Sequence, residues 1–228
     1  MPNYVFTPPD QTFAPIKDTD DLFPVRRVYC IGRNYADHAI EMGHDPDREP
    51  PFFFQKNPNN LDFTGDFPYP THSHDVHYEM ELIIALKEGG TNIPLNEALD
   101  HIYGYALGLD MTRRDLQGEM KKMGRPWEIG KAFEKSAPMA PIVPVTEIGH
   151  PKEGSITLTV NGEVRQKGDL NQMIWKTAEM ITYLSKYYEL AAGDIIMTGT
   201  PAGVGPINKG DIMTGAIEGL GEFTVNVV

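Results

Sequence analysis

Cysteine is nearly missing from this chain: Cys30 is alone among 228 residues. One thiol cannot close an intrachain disulfide, so no covalent cross-link is expected within the fold, and a reducing compartment is. Long apolar runs are missing too. No stretch approaches the roughly 20 residues that span a bilayer, and Met1-Pro2-Asn3-Tyr4 lacks the basic-then-apolar order of a secretory signal. These absences predict a cytoplasmic protein with no membrane partner. Basic residues fall short of acidic ones, 20 against 32, for a formal net charge of −12. That balance disfavours nucleic acid and anionic lipid as partners. A small anionic substrate stays open, because a metal and a few basic side chains can reverse the field locally. Internal repeats and low-complexity segments are absent as well.

What is present centres on His77-Tyr78-Glu79-Met80-Glu81-Leu82-Ile83-Ile84-Ala85-Leu86. The run reads as a buried strand, yet it carries two glutamates two residues apart. Alternate side chains of a strand share a face, which puts Glu79 and Glu81 together with Cα atoms roughly 7 Å apart. Two buried like charges are costly unless something positive sits between them. Either the pair faces water or it holds a cation, and the apolar Leu82–Leu86 continuation argues for depth. The pair is read as two ligands of a hard divalent metal.

Other stretches offer weaker signals. Val25–Ile31 reads as a strand ended by Gly32, followed by a short helix with Asn34 as N-cap and Gly43 as its stop. His38 and Glu41 would share a face of that helix, either as a solvent-facing ion pair or as a base oriented by a carboxylate. Pro50–Lys56 reads as a buried strand. His72, His74 and His77 invite a zinc site, although their spacing fits no standard pattern and a polar loop explains them. A helix is expected over Pro94–His101 and a small-residue strand over Ile102–Leu109, closed by Asp110. That carboxylate is a third oxygen ligand of a magnesium-like site, or else a second helix cap or an ion-pair partner of Arg113 or Arg114. Thr112 reads as the cap of the next helix, and Lys131 follows a glycine in an irregular aromatic stretch. Asn161-Gly162 between two strand-like runs is a hairpin signal. Met173–Tyr188 has helical periodicity, and Gly193–Met197 reads as a strand entering the turn Thr198–Gly205. Three short β segments, near 211–213, 216–218 and 223–228, close the chain.

Taken in order, Gly32-Arg33-Asn34-Tyr35-Ala36-Asp37-His38, Tyr78-Glu79-Met80-Glu81, Asp110-Met111-Thr112-Arg113-Arg114-Asp115-Leu116-Gln117, Gly130-Lys131-Ala132-Phe133 and Thr198–Gly205 resemble the fumarylacetoacetate hydrolase family. The resemblance runs from about Val25 to the C-terminus. It implies an α+β, β-rich fold of mixed sheets or a β-roll with a few short helices, with an N-terminal extension over 1–24 and a catalytic domain over 25–228. It further implies Mg2+ or Mn2+ on Glu79, Glu81 and Asp110, and His38 with Glu41 as the water-activating pair. Lys131 and Gln117 would stabilise an oxyanion, while Arg33, Tyr35, Arg114, Thr198, Gly199 and Thr200 would contact substrate. The 112–127 region is most similar to the family's fumarylpyruvate-cleaving branch, which serves aromatic catabolism through gentisate. Glu134 departs from the family's usual Asp. The implied reaction is C–C hydrolysis of a diketo acid by a homodimer, with oxaloacetate decarboxylation or oxo-acid isomerisation as the alternative within the family. A metal-stabilised binding protein without catalysis is the alternative outside it.

Overall fold

The computed structural model describes residues 3–36, 41 and 50–228. Its centre is a six-stranded sheet in the order Val143–Pro144, Ile102–Leu109, Met80–Leu86, Asp194–Met197, Arg27–Gly32, Phe52–Lys56. Asp194–Met197 and Arg27–Gly32 pair in parallel, and the other four pairings are antiparallel. A five-stranded sheet carries Glu163–Asp169, Ser155–Val160, Ile212–Ile217, Gly221–Val227 and Asp66–Phe67. A third, smaller sheet joins Thr112–Arg113, Val76–Tyr78 and Gly205–Pro206. Helices are few and short, and the expected β-rich α+β class is the one found.

Every residue of Met80–Leu86 is buried, because both faces of the strand are covered. Its alternation feeds two cores. Met80, Leu82, Ile84 and Leu86 belong to the larger cluster, while Ile83 and Ala85 point into the second. The neighbouring strand is small because it must be: a Cβ on Gly108 would stand 2.2 Å from Ile83 Cδ1, and one on Gly104 would stand 2.4 Å from the Val143 carbonyl.

Part of the expected N-terminal extension has structure of its own. Phe13–Pro15 and Leu22–Pro24 form a small antiparallel pair that buries Ala14 and Phe23 in the second core. The Asn161-Gly162 hairpin forms as expected, with both turn residues at positive φ, 54° and 82°.

Several local expectations change. Pro94–His101 is reduced to a single 3-10 turn over Ala98–His101. The 173–188 helix shrinks to α2, Thr177–Leu184, because Met173 bridges to Tyr35 and Ile174 donates to the Asn34 carbonyl. The first two C-terminal segments merge into Ile212–Ile217. Thr112 is not a helix cap: it lies in a strand opposite His77, and α1 spans Arg114–Lys122. Asn34 spends its side chain elsewhere, accepting from Trp175 N–H and donating to the Trp175 and Thr198 carbonyls. Of its expected helix, residues 37–40 and 42–43, including Asp37, His38 and Gly43, lie outside the described residues.

Candidate metal centre and substrate cleft

Two chain segments run antiparallel through both the small sheet and the central one, with His77 opposite Thr112 and Met80 opposite Leu109. Where they pass from one sheet to the other, each carries a carboxylate. Glu79 stands at one break and Asp110 at the other, tied by Asp110 N–H donating to the Glu79 carbonyl at 2.9 Å. Glu81 joins them from the central strand. One carboxylate oxygen of each of Glu79, Glu81 and Asp110 lies within 4.8 Å of the other two, and all three residues are buried.

Cations converge on the same spot. Lys131 Nζ donates to Glu79 Oε2 at 2.9 Å, Asp110 Oδ2 at 2.7 Å and Thr112 Oγ1 at 2.6 Å. Burial alone would lower the Lys131 pKa, but Asp110 and Glu79 outweigh it and hold it above the ordinary lysine value. Arg114 Nη2 donates to Glu79 Oε1 at 2.5 Å and its Nη1 to Gln117 Oε1 at 2.7 Å. Lys56 Nζ stands 2.9 Å from Asp110 Oδ1 and is also held by Ser136 Oγ at 3.0 Å and the Lys131 carbonyl. Glu81 fares differently. Its Oε2 accepts from Gly199 N–H at 2.8 Å, and burial, followed by the charges of Asp110 and Glu79, pushes its carboxyl well above the usual range.

The donor set fits a hard divalent cation. All three ligands are oxygens, as Mg2+ and Mn2+ prefer. Among the described residues Asp110 Oδ1 is buried without an aligned hydrogen bond despite its nearness to Lys56, and the raised Glu81 carboxyl shows that its protein neighbours poorly compensate a charge there. The histidines do not assemble. His72 and His74 are exposed. His77 is tied between Asp75 Oδ1 at 2.8 Å and Arg114 Nε at 3.3 Å. Burial and the Arg114 charge lower its pKa despite Asp75. Among the described residues, the carboxylate trio is the group of three or more potential ligands that converges.

A cleft opens over the trio. Arg33, Arg114, Gln117, Lys131, Gly199 and Thr200 all line it, together with the three carboxylates. Arg33 has φ 58°, a left-handed conformation that costs a non-glycine residue about 1–3 kcal/mol. It follows Gly32, where a Cβ would collide with the Phe52 ring at 2.0 Å, and its guanidinium lies 5.3 Å from that ring's centre. Thr198 is placed beneath the cleft, its N–H and hydroxyl both donating to the Leu82 carbonyl. Tyr35 is not among the cleft's lining residues: it is buried and borders a separate pocket with Lys167 and Pro201, its hydroxyl without a partner among the described residues and its pKa raised by burial and then by Glu81 and Asp169. Glu41 accepts from Gly203 N–H through both oxygens, at 3.2 and 3.1 Å.

Lys56 is not legible as a site residue in the sequence; its one signal is its place two residues after the apolar run Phe52-Phe53-Phe54. Thr112 as a partner of Lys131, and Phe52 with Trp127 as cleft walls, required the fold.

Residues 27–228 match the family model described as "Fumarylacetoacetate (FAA) hydrolase C-terminal". The chain is 52% identical to fumarylpyruvate hydrolase from Pseudomonas aeruginosa, crystallised in complex with Mn2+ and pyruvate, with a TM-score of 0.97 and 99% of each chain covered. It is also 40% identical to oxaloacetate tautomerase YcgM of Escherichia coli over 198 residues, which cover 86% of this chain and 90% of that one. With the human mitochondrial oxaloacetate tautomerase FAHD1 it shares 39% identity over 202 residues, 89% of this chain and 91% of the relative.

Proposed function

The chain belongs to the fumarylacetoacetate hydrolase family, and from that premise we propose that it is a metal-dependent hydrolase that cleaves an acylpyruvate, with fumarylpyruvate going to fumarate and pyruvate. The observation that carries this reading is the buried convergence of Glu79, Glu81 and Asp110 against Lys131, Arg114 and Gln117 in one open cleft. The similarity to an enzyme crystallised with Mn2+ and pyruvate supports it.

Glu79, Glu81 and Asp110 would hold Mg2+ or Mn2+. When bound, such an ion supplies Lewis acidity to the 2-oxo acid end of the substrate and lowers the cost of the departing enolate. The chain's own residues do the rest. Arg33, Arg114 and Thr200 line the cleft where the anionic substrate enters. His38, which lies outside the described residues, would take a proton from water with Glu41 as its orienting carboxylate. The resulting hydroxide adds to the distal ketone. Base catalysis of this kind is worth about 10²–10⁴-fold. Arg114 holds Gln117 by its carbonyl oxygen, which leaves the amide NH2 end to donate to the tetrahedral oxyanion. Lys131 serves the same oxyanion by exchanging one of its carboxylate partners for it. Collapse breaks the C–C bond, expels fumarate and leaves pyruvate enolate, which gains a proton on carbon. The catalytic unit is 25–228, working as a homodimer. The apolar Tyr4, Val5 and Phe6, exposed by 65%, 100% and 75%, support a second copy as partner.

Pyruvate release from fumarylpyruvate tests the reading, with Mg2+ or Mn2+ supplied and again after chelation. Fast, metal-dependent release is expected, and His38→Ala should abolish it while retaining metal affinity. A second reading, oxaloacetate tautomerisation or decarboxylation on the same residues, is favoured by the similarity to the bacterial and human tautomerases. A higher kcat/KM for oxaloacetate than for any acylpyruvate would establish it instead.

A further inference from the structure

Resting on the acylpyruvate reading, we propose that the outer half of the cleft is a second carboxylate subsite, built from Lys121 and Arg33 and walled by Phe52 and Trp127. The substrate is then a long, flat diacid gripped at both ends.

One helix supplies the first wall. Arg114, Gln117 and Lys121 stand at i, i+3 and i+7 on α1, so they form one stripe, and all three line the cleft. At the lower end of the stripe Arg114 is bonded to Glu79 and Gln117. Lys121 lies about 10 Å further along the helix axis. A four-carbon diacid with one carboxylate at the trio falls well short of that, whereas a seven-carbon chain of six C–C bonds covers roughly 7 Å before its carboxylate and the lysine arm are added.

Arg33 faces the stripe from the other wall. Its backbone is held in the left-handed region and its guanidinium over Phe52, and among the described residues no carboxylate pairs with it. Phe52 meets Trp127 edge-on, with ring centres 5.2 Å apart at 86°. Two aromatic surfaces ending in two cations suit a planar, conjugated acyl group that terminates in a carboxylate. Burial, then the charges of Arg33 and Arg114, hold Lys121 below the ordinary lysine pKa, which agrees with three cations facing one space. In a chain of net charge −12, such a gathering of positive charge is a local exception.

The test compares kcat/KM for fumarylpyruvate and acetylpyruvate, which share the pyruvate end and differ in the distal carboxylate. Wild type should prefer fumarylpyruvate. Lys121→Met should shrink that preference about 10–100-fold, through KM, as expected for one charge-assisted contact. Lys121→Arg should recover most of it, and Lys122→Met, on the next position of the helix, should leave it as in wild type. A preference unchanged in Lys121→Met, or both substrates lost in equal measure, overturns the subsite while leaving the hydrolase reading standing. If wild type with Mn2+ releases pyruvate from neither compound, the reaction assignment fails. The subsite is then judged by calorimetric Kd for the same two compounds, and an equal ratio in wild type and Lys121→Met overturns it.

Discussion

The histidine loop over 71–77 runs directly into Glu79 and Glu81, which with the distant Asp110 form the carboxylate nest, and loop and nest differ in construction. The loop holds three potential nitrogen ligands. Two of them face solvent, and the third is consumed by Asp75 and Arg114. The nest draws on two breaks between sheets and one strand, and every donor is buried. Ligand-type residues close in sequence do not make a site. Convergence does, and convergence is set by strand pairing between residues 79 and 110. A second difference is electrostatic. The loop can relax its charges into water, whereas the nest depends on Lys56, Lys131 and Arg114 to be tolerable at all.

The largest test of that contrast is metal affinity. Glu81→Gln or Asp110→Asn should lose at least the roughly 100-fold that outer-sphere changes alone can reach, whereas His72→Ala with His74→Ala should stay within about twofold. Calorimetric titration of Mn2+ into each variant decides it, and the opposite ranking would restore the histidine site. Lys56→Met comes next. It removes a cation from Asp110 without touching any ligand, and a 10–100-fold weaker Mn2+ titration is expected, about the cost of losing a ligand's support.

A smaller effect concerns stability against pH. The Glu81 carboxyl is raised, by burial first and then by Asp110 and Glu79, so the folded state binds its proton more tightly than the unfolded one. Its contribution is present below the unfolded carboxylate pKa and is lost as pH rises through the higher folded value. Metal-free protein should therefore melt progressively lower as pH rises above the ordinary carboxylate range. Glu81→Gln should flatten that slope and raise the neutral-pH Tm by a few degrees. Added Mn2+ binds the ionised form and should reverse the slope in wild type alone. The smallest effect is on the other side of the comparison: His74→Ala, exposed, should move stability by less than about 0.5 kcal/mol in a denaturant melt.

Much of the fold was legible because its signals are local. The Asn161-Gly162 turn needs positive φ at both residues, and the apolar run from Leu82 needs burial on both faces. Glu79 and Glu81 were readable as candidate ligands because two acids inside such a run are tolerable only with positive charge beside them. Lys56 and Lys121 were not. A lysine's role depends on what lies opposite it, and here that is Asp110 in one case and Arg33 in the other, each far away in the chain. The helix near 173–188 is shorter than its periodicity for the same reason: the apolar spacing continues through Met173, but the backbone there is claimed by Asn34 and Tyr35.

The parallel pairing of Asp194–Met197 with Arg27–Gly32 has a consequence for how the molecule is made. One strand delivers Arg33 to the cleft and the other delivers Gly199, whose N–H holds Glu81. This is a contact of very high sequence separation, the kind that slows folding. On a ribosome, all three acidic ligands emerge early, and the clasp that seats one of them follows only after roughly 5–20 seconds of further synthesis at ordinary elongation rates. A nascent chain therefore spends that interval with its candidate ligands present and the trio unassembled. On the proposed function, capture of the ion would be a late checkpoint, open only to chains that have been read past residue 199.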